Sequence, residues 1–113
     1  MSPRGSPGGT NAAEQLQKVF KTFSDPTRIR ILRLLEQQEL LVGELMAILG
    51  MAQSRVSRHL AILREAGLLT DRRKGTYVAY RSSLPASGPW RDAWNLAREG
   101  LRGDPTADRD DAL

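Results

Sequence analysis

Apolar residues recur at helical spacing along most of the chain, and each break in that rhythm marks a boundary. Leu16, Val19, Phe20 and Phe23 share one face of a helix that begins near Ala12. Asp25-Pro26 opens a second helix, because the Asp side chain can accept from an open backbone amide and Pro suits a first turn that needs no donor. Ile29, Leu32 and Leu35, with Ile31 and Leu34 beside them, give this second helix the wide apolar face of a central core element. Gln37 to Leu41 reads as a polar connection, and Val42 to Leu49 as a short third helix with Val42, Leu45, Ile48 and Leu49 inward. Gly50 supplies a turn; a fourth helix runs from about Gln53 to Ala66, and Gly67 ends it.

Beyond Gly67 the rhythm shortens. Leu68 to Arg72 and Thr76 to Arg81 are brief and partly β-branched or aromatic, which predicts two strands about an Arg73-Lys74-Gly75 tip. Tyr77 and Tyr80 are three apart on one strand and so point to opposite faces, leaving at most one to pack inward. A Ser- and Pro-rich loop, Ser82 to Gly88, precedes a last helix with Trp90, Ala93, Trp94, Ala97 and Leu101 along one stripe. Gly103, Asp104 and Pro105 stop it. The expected fold is mainly α with a small β-hairpin, in the order α-α-α-α-β-β-α: a winged helix-turn-helix over residues 12–102. Residues 1–11 and the acidic residues 103–113 offer little apolar area against the entropy of ordering, and both are expected to be disordered tails.

On a helical wheel centred on Val56, Leu60 and Leu63 fall within about 40°, so that side packs inward. Ser54 and Arg58 lie nearly opposite, with Arg55 on one shoulder and Ser57 and Gln53 on the other. The outward face is therefore polar and cationic at its N-terminal end. A reader of the major groove needs such side chains there, since Arg can bond bidentately to guanine, Gln to adenine, and hydroxyls to base edges or phosphates. Taken singly, Gln53 and Ser54 are equally compatible with plain solvent exposure. His59, about 60° from the centre of the apolar face, is a boundary residue compatible with packing or with phosphate contact. Ala52 stands at the N-cap, where Ser would serve better. Arg72, Arg73 and Lys74 would place three cations on one tight loop beside a minor groove or phosphate line.

Charge sharpens this reading. The net +4 of the 113 residues conceals a block from Gln53 to Arg81 with seven cations against two anions, and a stretch from Gly103 to Leu113 with four aspartates and one arginine. Positive charge concentrated on one motif points to a polyanion, here double-stranded DNA. The absence of cysteine excludes disulfides and thiolate metal sites from this chain, and the single histidine excludes a zinc site built mainly from imidazoles. No apolar run approaches the roughly 20 residues of a membrane span, so a cytoplasmic protein is expected. There is no nucleophile with an adjacent base, no Gly-rich phosphate loop and no paired carboxylates, and the Asp104, Asp108, Asp110, Asp111 group lacks calcium-loop spacing. Neither catalysis nor a cofactor is expected.

The flanking stripes carry a further expectation. Leu16, Val19, Phe20 and Phe23 on the first helix and Trp90, Trp94, Ala97 and Leu101 on the last hold more apolar area than terminal helices of a small domain readily hide. A homodimer formed through these two helices would cover it, packing into the monomer core being the alternative.

Taken in order, these motifs resemble the ArsR family of bacterial winged-helix repressors. The matching residues are Ser24-Asp25-Pro26-Thr27-Arg28-Ile29-Arg30-Ile31-Leu32, Val42-Gly43-Glu44-Leu45, Gln53-Ser54-Arg55-Val56-Ser57-Arg58-His59-Leu60 and Glu65-Ala66-Gly67-Leu68-Leu69. The resemblance implies a homodimer on a two-fold operator that represses until an inducer releases it. It also exposes departures. The thiolate pair of arsenic and cadmium sensors would fall on Leu41 and Gly43, and the His/Asp/Glu pattern of zinc sensors is replaced by Trp90, Asp92, Trp94, Ala97 and Arg98. The segment Gly50 to Leu63 looks like members linked with methyltransferases and the methyl cycle, some of which respond to S-adenosylhomocysteine. A constitutive repressor and a sensor of another small molecule are equal alternatives, and a winged-helix protein-interaction module without specific DNA binding is the rival reading.

Overall fold

The structure, a computed structural model, describes residues 11–113. The N-terminal tail expected to be disordered lies outside the described residues except for Asn11, which caps the first helix: its Oδ1 accepts from the Glu14 amide at 2.7 Å while Glu14 Oε1 accepts from the Asn11 amide at 3.2 Å. Six helices and three strands follow: α1 (Ala12–Phe23), α2 (Pro26–Gln37), β1 (Leu40–Leu41), α3 (Val42–Leu49), α4 (Gln53–Glu65), β2 (Leu69–Lys74), β3 (Tyr77–Ser82), α5 (Pro89–Gly100) and α6 (Pro105–Asp111). Asp25 caps α2 as its sequence predicts, accepting from the Thr27 amide at 2.8 Å.

The core lies where the apolar stripes converge. Ile31, Leu32, Leu34 and Leu35 of α2 meet Leu45 and Leu49 of α3 and Val56, Leu60 and Leu63 of α4, all buried. The sheet closes one side in the order β1-β3-β2, antiparallel throughout, with Leu69 opposite Ser82 and Lys74 opposite Tyr77. Leu68 and Leu69, at the start of β2, are buried, Tyr80 packs inward and Tyr77 stays exposed, as their spacing requires.

Four expectations need correction. Gln37 to Leu41 is not wholly a polar connection, since Leu40 and Leu41 pair with Tyr80 and Ala79 as a third strand. The hairpin is longer than its residues suggest: Arg72, Arg73 and Lys74 all belong to β2, and the tip falls at Gly75, whose φ of 64° suits a residue without Cβ. The acidic segment is folded. Asp104 caps α6 by accepting from the Ala107 amide at 3.0 Å, and Ala107 and Asp110 are buried against α2. Arg30 Nε and Nη2 donate to Asp110 at 2.8 and 3.1 Å, and Arg33 Nη2 donates to both oxygens of Asp111 at 2.8 and 2.9 Å. The tail's aspartates repel one another in isolation, whereas two arginines one turn apart on α2 pair with Asp110 and Asp111.

The fourth correction concerns the flanking helices. Val19 and Trp94 are 1% and 0% exposed, so these two residues belong to the monomer core. α1 packs against α5, and the Phe23 ring stands edge-on to Trp90 at 5.7 Å and tilted to Trp94 at 5.9 Å. Trp94 Nε1 donates to Glu36 Oε2 at 2.7 Å, which gives the indole a partner and explains how so large a polar-edged side chain is buried completely.

Candidate nucleic-acid interface

The turn between α3 and α4 is set by Gly50 in the left-handed region, φ 66° and ψ 37°, with its amide donating to the Met46 carbonyl at 2.9 Å. Ala52 caps α4 with no side-chain bond, as anticipated. Val56, Leu60 and Leu63 seat the helix in the core, and this fixes which face remains outward. Gln53, Ser54, Arg55, Ser57 and Arg58 are all exposed. Among the described residues no carboxylate lies within 4.0 Å of the Arg55 or Arg58 guanidinium. Two uncompensated guanidiniums beside hydroxyls and an amide make a face suited to hydrogen-bond acceptors on an anionic surface.

His59 does not join that face. It is 8% exposed, and its Nδ1 stands 3.4 Å from Arg28 Nη1. A guanidinium can only donate, so Nδ1 accepts and a neutral ring carries its proton on Nε2. Burial, aided by the charges of Arg28, Arg55 and Arg58 and opposed by Asp25, holds the imidazole below its usual value. Arg28 in turn donates to the carbonyls of Thr22 at 2.8 Å and Lys21 at 3.0 Å and approaches Asp25 at 3.6 Å. His59 thus props α4 against the α1–α2 junction rather than reaching for phosphate.

The wing separates its three cations. Arg72 and Lys74, two apart on β2, share a face and converge on Glu39: Arg72 Nε and Nη2 donate at 2.7 and 3.0 Å, and Lys74 Nζ at 3.2 Å. Arg72 first, with Lys74, pulls the Glu39 carboxyl down to about 2 from an ordinary 4.5. Arg73 alternates to the other face, exposed, with no carboxylate within 4.0 Å among the described residues. Glu39 escaped the sequence reading because only the pairing of β1 with β3 brings it beside β2, 33 residues away.

On the opposite side, the apolar stripe divides by exposure. Leu16 and Phe20 are exposed, Phe20 at 64%; Phe23, Trp90, Ala97 and Leu101 are half-buried; Val19 and Trp94 are interior. Leu96, 74% exposed, and Ile62 join the surface set, although Leu96 lies off the stripe that spacing had defined.

Residues 25–71, from the α2 cap into β2, match the family described as bacterial regulatory protein, arsR family. The arsenic resistance transcriptional regulator ArsR1 of Pseudomonas putida is 47% identical over 96 residues, 82% of this chain and 73% of that protein. The arsenical resistance operon repressor of Escherichia coli is 41% identical over 105 residues, 77% of this chain and 89% of the repressor. Among solved structures, the homodimeric winged helix-turn-helix DNA-binding domain Mb0332 of Mycobacterium bovis, a possible ArsR-family regulator, superposes with a TM-score of 0.64 at 26% identity, covering 86% of this chain and 92% of that one.

Proposed function

The chain belongs to the ArsR family of DNA-binding transcriptional repressors, and from that premise we propose that it acts as a homodimer on an inverted-repeat operator and is released by a small metabolite rather than a thiolate-bound metal. The observation that carries the reading is the exposed α4 face, on which Arg55 and Arg58 have no carboxylate partner among the described residues. Gln53, Ser54, Arg55, Ser57 and Arg58 read the major groove; Arg73, together with Arg72 and Lys74 once they leave Glu39, meets the phosphates. A two-fold assembly would set two such helices roughly 34 Å apart, one DNA turn.

The exposed Leu16 and Phe20, with half-buried Phe23, Trp90, Ala97 and Leu101 on the same two helices, support dimerisation through α1 and α5. The Mycobacterium bovis domain is itself homodimeric. The names of the Pseudomonas and Escherichia relatives tie them to arsenic resistance. This chain has no cysteine and carries Leu41 and Gly43 at the family's thiolate positions, so a trivalent arsenic species has no sulfur to bind. Among the described residues no group of three or more His, Cys, Asp or Glu is arranged to hold a metal ion. S-adenosylhomocysteine is the effector suggested by the resemblance of the α3–α4 segment.

A salt titration of binding to the gene's own promoter fragment tests the reading. Specific binding falls steeply with salt and prefers the promoter to random duplex. A shallow salt dependence without sequence preference would favour a protein-interaction module. Thermal-shift measurements with adenosine-containing metabolites test the effector.

A further inference from the structure

Where α6 lies on α2 it leaves a cavity of about 350 Å³, within the size range of small-molecule sites. Phe23, Pro26, Ile29, Leu101 and Ala107 line it with apolar surface, while Arg30 and Arg33 face the carboxylates of Asp104 and Asp110. Asp110 is buried and held by Arg30 through two bonds of 2.8 and 3.1 Å. Arg33 uses Nη2 on Asp111, but its buried Nε has no hydrogen-bond partner among the described residues. A buried charged donor without an acceptor is costly, and a ligand oxygen that reached it would relieve that cost. Arg30 has a second attachment: its Nη2 also donates to the Ile48 carbonyl at 3.3 Å, in the last turn of α3 and two residues before Gly50.

We propose that this cavity binds a small organic carboxylate with an apolar body, and that Asp110 of α6 is the built-in competitor for the arginine the ligand would use. The carboxylate accepts from Arg33 Nε and displaces Asp110 from Arg30, while the apolar body lies against Ile29 and Leu101. Drawing Arg30 toward the ligand withdraws its bond from Ile48, so occupancy is felt at the α3–α4 turn that orients the reading helix. This is a ligand site separate from the adenosine-containing effector considered above; its regulatory half rests on the DNA-binding reading, and its binding half does not.

The test is isothermal titration of the full chain with 3-phenylpropionate and with its uncharged twin, 3-phenylpropanamide. The acid is expected to bind saturably, one per chain, at least about tenfold tighter than the amide, because the charged bonds to arginine are lost with the amide. Asp110→Asn removes the competing charge and should tighten the acid about tenfold, whereas Arg33→Gln should reduce the preference for acid over amide, Arg30 remaining as the second donor. Equal binding of acid and amide to the wild-type chain, or no binding of the acid to it, overturns the site. So does an unchanged acid preference in Arg33→Gln, which decides the matter even where Asp110→Asn detaches α6 and shows it by loss of helical circular dichroism. Adding the acid to the chain on its promoter duplex should weaken DNA binding. Acid binding with undiminished DNA affinity overturns the coupling through Arg30 alone, and acid binding by a chain that binds no DNA overturns the operator reading while leaving the site intact.

Discussion

Replacing Glu39 by Gln should strengthen DNA binding and make it more salt-dependent. Glu39 holds Arg72 at 2.7 and 3.0 Å and Lys74 at 3.2 Å, so one carboxylate engages two of the three wing cations. Each additional phosphate neutralised steepens the slope of log affinity against log salt by about 0.9. Removing one anion sets a lower bound of about 0.9 and the transfer of both cations to phosphate an upper bound of about 1.8. Between 50 and 200 mM salt the variant should therefore lose roughly 3.5- to 12-fold more affinity than the wild type, from a tighter starting value. Fluorescence anisotropy on the promoter duplex across that range measures both quantities, with a thermal melt as the control for folding. The carboxyl sits at about 2, below its ordinary 4.5, so the clamp's contribution is complete above 4.5 and is lost only as pH falls through about 2. The difference between variant and wild type should then be constant from pH 5 to pH 8. A folded variant with unchanged affinity and slope would refute the idea that Glu39 competes with phosphate for the wing.

Three further outcomes are expected. Arg58→Ala should cost about 1–3 kcal/mol of discrimination between promoter and random duplex if Arg58 is bidentate to a base; equal weakening on both duplexes would assign it to phosphate. Phe20→Glu should yield a folded monomer in sedimentation at micromolar concentration, since Phe20 is 64% exposed; Trp94→Glu is no probe of the dimer, because a charge on a fully buried site unfolds the monomer first. An undiminished dimer mass in Phe20→Glu would count against the α1–α5 interface. His59 is held below its ordinary 6.5 chiefly by burial, so folding favours the neutral ring and stability declines as pH falls from 6.5 through the depressed value. His59→Gln should flatten that decline, measured as urea midpoints between pH 7 and pH 5, and an unaltered decline would locate its source elsewhere.

The reading helix was legible because its information is local. Val56, Leu60 and Leu63 on one side and Ser54, Arg55 and Arg58 on the other follow from helical geometry alone, and Gly50 and Gly67 mark its ends through a backbone preference of single residues. His59, at the edge of the wheel, could not be assigned this way, since its burial depends on Arg28 arriving from α2. The same holds for Val19 and Trp94, which share a stripe with exposed Phe20 and half-buried Trp90. Spacing identifies an apolar face but not which part of it another element covers.

The order of helices, the turn, the inward and outward faces of α4 and the absence of thiolate chemistry were thus determined by the sequence itself. Each depends on a residue's own type or on neighbours within one or two helical turns. The pairing of β1 with β3, the clamp of Glu39 on the wing, the capture of the acidic α6 by Arg30 and Arg33 and the cavity beneath it were decided only by the tertiary structure. All join residues 30 or more positions apart, where charge in the sequence shows what could attract and only the packed chain shows what does. An aspartate run that reads as a solvated tail becomes a docked helix once two arginines stand one turn apart to receive Asp110 and Asp111.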